Sequence, residues 1–200
     1  MKKKKKKAYL FIDGSNLYGA QYKLFGPEKY LSFSLFLGQI ESKLKIKFDK
    51  IYFYASYSPK LKSPTRKQKL YLKNEALFYR SVRKLKKVVF FRGYRSKTSG
   101  KEKEVDVKLA VDIVDFAHRD KYQKLFLLSG DADFMHALFI AKRCRKKVEI
   151  VCLEDRVMHK AAFYFPATVI SFEKVRYKPH KKQKIKFMII ESEDVVERIK

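Results

Sequence analysis

Short apolar runs alternate with amphipathic stretches along most of the chain. Ala8-Tyr9-Leu10-Phe11-Ile12, Ile51 to Ala55, Val88 to Phe91, Lys124 to Leu128 and Val148 to Cys152 are compact and apolar. Runs of this kind read as strands buried on both faces, the pattern of a parallel sheet. Ala167 to Ser171 offers a sixth strand. Between these runs the period changes to helical. Leu17 to Phe25 predicts a short helix closed by Gly26-Pro27, and Leu31 to Lys45 a second with Phe33, Phe36, Leu37, Ile40 and Leu44 on one side. Ser63-Pro64 has the cap-then-proline order of a helix start, and Leu70, Leu77, Phe78, Val82 and Leu85 keep helical period to about residue 86. Val105 to His118 is a strongly apolar helix. Another begins directly after Leu128, with Asp131 and Asp133 in its first turn, and runs to about Cys144. A short helix is expected through Phe163, and Ile185 to Lys200 suits a strand and a short helix. Gly93 to Lys103, polar and bracketed by glycines, reads as a mobile loop. Strands alternating with helices predict a three-layer α/β/α sandwich around a mainly parallel central sheet of about five or six strands.

Length and charge change this picture in two ways. Two hundred residues fit one α/β domain, large enough to bury roughly 70% of its unfolded surface. The net charge of +27 attracts polyanions, of which nucleic acid is the commonest in a cell. Lysine outnumbers arginine and Phe, Tyr and Ile are abundant, a composition that an AT-rich coding bias would also produce. Cys144 and Cys152 match no zinc spacing, which favours a reduced, cytoplasmic location. Met1 and Lys2 to Lys7 resemble the head of a signal peptide, but the apolar run after them stops at Asp13, too soon for such a signal. No stretch approaches the ~18 apolar residues of a membrane span, so a soluble protein is expected. The chain divides into a flexible lysine arm at 1–7, a domain at 8–171 and a basic extension at 172–200.

The candidate chemistry lies in carboxylates at strand ends and helix starts. Asp13 ends the first strand, Asp131 and Asp133 follow the fourth, and Asp106 opens the helix after the glycine-bracketed loop. Taken singly, a turn, a cap or a dipole-compensating acid explains each one better than catalysis does. Taken together they are less easily dismissed, because a doubly wound sheet brings the ends of its central strands to one edge. Carboxylates converging there would raise each other's pKa unless a cation sat among them. Mg²⁺ or Mn²⁺ suits an all-oxygen donor set, whereas zinc does not, since no His or Cys stands at ligand spacing. The chemistry that follows is metal-assisted hydrolysis of a phosphodiester. Aspartyl-phosphate chemistry also uses an Asp at the end of strand one but wants a second Asp two residues on, where this chain has Ser15.

Three stretches together resemble a known family. Phe11-Ile12-Asp13-Gly14-Ser15-Asn16-Leu17-Tyr18, Lys103-Glu104-Val105-Asp106-Val107 with Leu109-Ala110-Val111-Asp112, and Ser129-Gly130-Asp131-Ala132-Asp133-Phe134 resemble the three signature motifs of NYN domains. These are PIN-like ribonucleases, and the LabA-like branch is the nearest. The resemblance covers roughly residues 8–171. It implies that Asp13, Asp106, Asp131 and Asp133 hold Mg²⁺ or Mn²⁺ and carry catalysis, with Asn16 and Ser129 as supporting groups. His136 stands where many relatives carry proline, and Ala161-Ala162-Phe163 matches the last helix of the family only loosely. Asp112 falls about 240° around its helix from Asp106, which gives it a supporting or structural role. Asp115 is expected in solvent, His136 on a helix surface, and His118, His159 and His180 without a role.

Residues 60–104 hold sixteen Lys/Arg against three acids. Arg92, Arg95, Lys97, Lys101 and Lys103, around the polar loop, are expected to clamp a nucleic-acid backbone beside Asp106. Of the interleaved aromatics, only Tyr94 falls outside predicted core positions. The leading expectation is a metal-dependent ribonuclease acting on RNA, with single-stranded DNA as the other substrate. The alternative is an RNA- or ssDNA-binding module of the same fold that cleaves nothing. No membrane partner is expected, and the sequence leaves the oligomeric state open.

Overall fold

A computed structural model describes residues 6–59, 62–96, 102–155, 160–161, 186–191 and 196–198. In chain order the elements are β1 (Ala8–Asp13), α1 (Gly14–Phe25), β2 (Lys29–Leu31), α2 (Phe33–Leu44), β3 (Lys50–Ala55), α3 (Arg66–Arg83), β4 (Val88–Arg92), β5 (Tyr94–Arg95), β6 (Glu102–Lys103), α4 (Val105–His118), β7 (Lys124–Leu128), α5 (Met135–Arg143), β8 (Lys147–Asp155), β9 (Lys160–Ala161), β10 (Lys186–Glu191) and β11 (Val196–Arg198). The main sheet has the order β10-β8-β7-β1-β3-β4, and each of these neighbouring pairs is parallel. Five of the strands are those expected from the apolar runs. Every residue of β1 is buried, as a central strand with helices on both faces must be.

From β1 the chain builds outward through β3 to β4, then returns to lay β7, β8 and β10 on the other side. The strand order therefore reverses between β1 and β7, and an open α/β sheet has its crevice at such a point. Side-chain alternation divides the core in two. Phe53 points toward Phe33 of α2 and Phe78 and Tyr79 of α3, with ring centroids 5.8–6.0 Å apart. Tyr52, one residue away, packs with Phe11 and with Phe116 of α4, at 5.3 and 5.2 Å. Helices α1, α2 and α3 thus cover one face, while α4 and α5 pack together on the other.

The structure moves several boundaries. α1 begins at Gly14, straight off β1, because Asp13 caps it by accepting the Asn16 amide at 2.9 Å. α3 is capped by Thr65 rather than Ser63: Thr65 and Gln68 exchange hydrogen bonds in a capping box, which satisfies two amides where a proline start satisfies none. After β7 the chain passes through Ser129 to Asp131 into a single 3-10 turn, Ala132–Phe134, and α5 starts only at Met135. The expected loop at Gly93 to Lys103 carries a short antiparallel ladder pairing Tyr94 with Lys103 and Arg95 with Glu102. Where a helix was expected through Phe163, Lys160–Ala161 pair with β8 as β9. Near the carboxyl terminus β10 joins the sheet edge, and β11 pairs with β2 in place of the expected helix. The candidate strand at Ala167 to Ser171 lies outside the described residues, as does most of the lysine arm.

Gly14 shows how tightly the start of α1 is held. A Cβ there would stand 2.1 Å from Cε1 of the Phe53 ring, and that ring is fully buried between two helices. Gly14→Ala is expected to cost about 1–3 kcal/mol of stability, as overpacking does. Thermal unfolding would register this as a Tm lowered by roughly 2–4 °C per kcal/mol.

Candidate functional site

The crevice between β1 and β7 is lined by the turns that leave those strands. Asp13 is the last residue of β1 and is 4% exposed. A buried carboxylate needs several donors to replace its water, and the chain supplies them from two distant segments. Asp13 Oδ1 accepts the Asn16 amide, and Asp13 Oδ2 accepts the Ser129 hydroxyl at 2.9 Å. Ser129 is fully buried just past the end of β7. Its Oγ in turn accepts the Asp131 amide at 3.1 Å, and Asp131 Oδ1 accepts the Asp133 amide at 2.9 Å. A second link runs the other way, from the Gly130 amide to Asn16 Oδ1 at 3.3 Å. Asp13, Asn16, Ser129 and Asp131 are thereby gathered into one hydrogen-bonded unit across the crevice.

Asp131 is half-buried. With its Oδ1 taken by the turn, Oδ2 has no partner among the described residues. Asp133 is exposed and stands on the rim of a groove of about 410 Å³ between α4 and α5, with Asp115, His136 and the apolar Val111, Val114 and Ile140. Asp106 is exposed in the first turn of α4. Because β4 and β7 run parallel, the helix connecting them starts at the carboxyl edge of the sheet, so Asp106 lies on that edge. Its position is fixed from behind by close contact. A Cβ on Gly93 would meet Val105 Cγ2 at 2.3 Å, so the chain leaving β4 passes directly against the start of α4. No three His, Cys, Asp or Glu side chains among the described residues stand close enough together to hold a metal ion.

Asp112 occupies a different place from the other acids. It is 7% exposed, and its Oδ2 accepts the Tyr54 hydroxyl at 2.7 Å while Oδ1 accepts Lys108 Nζ at 2.5 Å. Tyr54 is the register partner of Asp13 on the neighbouring strand. Burial, and then the bond to Asp112, push the Tyr54 hydroxyl well above its ordinary pKa, so it stays protonated and donates. Sequence reading found Asp112 but missed Tyr54, because only the β1–β3 register places it beside Asp13. Asp115, expected in solvent, is partly exposed and pairs with Arg119.

Of the expected backbone clamp, Arg92 lies 5.0 Å over the Tyr57 ring and Arg95 Nε donates to the Tyr57 carbonyl at 3.0 Å. Lys103 and Tyr94 are exposed on the β5–β6 ladder. Lys97 and Lys101 lie outside the described residues, as do His159 and His180. His136 is exposed, as expected, and His118 contacts the Val114 carbonyl within its own helix.

Comparison with known proteins agrees with this architecture. The family model described as the NYN domain matches residues 7–168. A Vibrio parahaemolyticus protein of unknown function, seen in a crystal structure, is similar in fold: the TM-score is 0.57, with 16% sequence identity over 98% of this chain and 99% of that one. No curated protein matches the chain.

The Tyr54–Asp112 bond makes a direct prediction. Tyr54→Phe removes a hydrogen bond to a buried carboxylate, an interaction worth about 1.5–3 kcal/mol. Urea unfolding should show a loss in that range, with the slope against denaturant unchanged.

Proposed function

We propose that this chain, which belongs to the NYN domain family of PIN-like nucleases, is an Mg²⁺- or Mn²⁺-dependent ribonuclease. The observation that supports this reading best is the hydrogen-bonded unit of Asp13, Ser129 and Asp131 across the crevice where the strand order reverses. The donor set fits a hard divalent cation. It is made of carboxylate oxygens, and Asp131 Oδ2 is left without a protein partner among the described residues. Asp13 and Asp131 would hold the ion, with Asp106 and Asp133 as the further catalytic acids from the same edge. When bound, such an ion supplies a Lewis acid for attack of water on a phosphodiester. Ser129 and the Asn16 amide fix the orientation of the Asp13 carboxylate, so its oxygens need no rearrangement when substrate arrives. Asn16 also holds the Gly130 amide, which sets where the Asp131 turn begins. Arg92, Arg95 and Lys103, with Lys97 and Lys101, carry charge to receive the substrate backbone. Hydrolysis adds the water oxygen to phosphorus and breaks one P–O ester bond, leaving a phosphate on one product and a hydroxyl on the other. The nuclease unit is taken as residues 8–171, preceded by the lysine arm, with β10 and β11 of the basic extension at 172–200 adding strands to its sheets. No helix among the described residues is long and apolar enough to cross a membrane.

The second reading, an RNA- or ssDNA-binding module that cleaves nothing, is favoured by one observation: no set of three acids is gathered for a metal ion among the described residues. The two readings separate on cleavage of labelled single-stranded RNA with Mn²⁺ or Mg²⁺. Asp13→Asn and Asp131→Asn should each abolish it while RNA binding persists. Ser129→Ala, which touches the carboxylate only from behind, should slow cleavage by roughly 10–100-fold. Equal cleavage by wild type and Asp131→Asn would place the activity elsewhere. A wild type that binds RNA but leaves it intact would establish the second reading. Neutralising Arg92, Arg95 and Lys103 together should weaken RNA binding and flatten its dependence on salt; unchanged binding would refute the clamp.

A further inference from the structure

Helix α3 presents a row of cations along one face. At 100° per residue, Arg66, Lys69, Lys73, Arg80 and Lys84 fall within about 60° of one another around its axis. All five are exposed. The buried residues Asn74, Glu75, Phe78, Tyr79 and Val82 occupy the opposite side. Five cations thus form one stripe over ~27 Å, at 1.5 Å per residue. Two of the buried acids are already engaged. Glu41 takes Lys47 and Lys87, and Glu75, the one acid in α3, is buried and accepts both the amide and the hydroxyl of Ser58. No carboxylate pairs with Arg80, Arg83 or Lys84 among the described residues.

The surface around the stripe is concave. Two hollows, of about 420 and 380 Å³, flank Arg80 and Lys84 and share both. One is walled by Tyr57 and Arg83, and the other by Ser32 and Ser34, whose hydroxyls bond each other, and Ser81, whose hydroxyl donates to the Phe78 carbonyl. None of the exposed large apolar side chains belongs to α3, and Tyr30, Leu77 and Leu85 in the second hollow are only partly exposed, so the cations dominate the face and suit a polyanion. Because β3 and β4 are parallel, α3 runs from the carboxyl edge of the sheet to its amino edge. The stripe therefore starts at the edge that bears Asp13 and Asp131 and leads away from it.

We infer that the outer face of α3 is a track for the phosphate backbone of single-stranded RNA, holding the part of a long substrate that lies beyond the cleavage site. This rests on the nuclease reading for its substrate, but binding along α3 can be measured without cleavage.

The test uses the full chain in EDTA, with fluorescently labelled oligo(U) RNAs of two lengths, about 6 and about 20 nucleotides. Lys69→Gln/Lys73→Gln/Arg80→Gln/Lys84→Gln is compared with wild type by anisotropy across a salt series. Wild type should bind the long RNA far more tightly than the short one, and the variant should lose that preference. Its log–log salt slope should fall by about 2.8, from ~0.7 per phosphate contact in a single strand. The double variants Lys69→Gln/Lys73→Gln and Arg80→Gln/Lys84→Gln should each lose about half as much, which keeps the test decisive if the quadruple variant unfolds. An unchanged slope and length preference would overturn the track. Equal losses on a duplex of the same length would overturn its assignment to single strands. With Mn²⁺ present, the stripe variants should cleave the short RNA as wild type does. Failure of wild type to cleave would sink the nuclease reading and leave the binding result standing.

Discussion

One buried hydroxyl holds the working edge of this protein together. Ser129 sits at 0% exposure, donates to Asp13 and accepts from the Asp131 amide. Asp13 ends the strand from which the sheet grows in one direction, and Ser129 follows the strand that begins the other. A carboxylate buried at such a junction would be costly without donors. With the Ser129 hydroxyl and the Asn16 amide it becomes a cross-link between two halves of the fold. The reciprocal bond from Gly130 to Asn16 ties the same two turns a second time. A carboxylate held this way is preorganised, which is what binding a cation or developing charge requires.

The aromatic core explains why the edge stays in place. β3 sends Phe53 to one helical layer and Tyr52 and Tyr54 to the other. Phe53 fills the space that a side chain on Gly14 would need, so the start of α1 is set by a ring from the neighbouring strand. Tyr54 reaches Asp112 of α4, so the same strand also fixes the opposite layer. Aromatic pairs add about 0.5–1.5 kcal/mol each beyond the area they bury, and this core contains many. Rigid neighbours on both faces give the Asp13 turn little freedom to move.

Charge is distributed with equal consequence. Besides Asp13, the buried acids among the described residues are engaged internally: Glu41 between two lysines, Glu75 on Ser58, Asp112 on Tyr54 and Lys108. For Glu41, burial raises the pKa, but bonds from Lys47, Lys87 and the Phe48 amide outweigh it and lower the pKa overall. Of the exposed cations on and beside α3, Arg80, Arg83 and Lys84 pair with no carboxylate among the described residues. Part of the net charge of +27 is thus concentrated on one face of that helix.

Much of this was legible in the sequence. Apolar runs marked the five strands because residues buried on both faces must be apolar throughout, although β4, at the sheet edge, is only partly buried; the ends of α4 follow from helical period alone. The acids at strand ends were visible for the same reason, since the run that makes a strand also marks where it stops. Contacts between distant segments were not legible. Thr65 took the cap from Ser63 because Gln68 could answer it, and Asp131 fell just before a 3-10 turn, its amide held by Ser129. Tyr54 carried no signal until register set it beside Asp13. A strand within Ile185 to Lys200 was expected, but not that it would become the edge strand β10 beside β8. Local pattern decides which segments become strands and helices, because burial and period act over a few residues. Which turns meet at the crevice, and which donors surround Asp13, depends on strand order and register, and those are settled only when the sheet has closed.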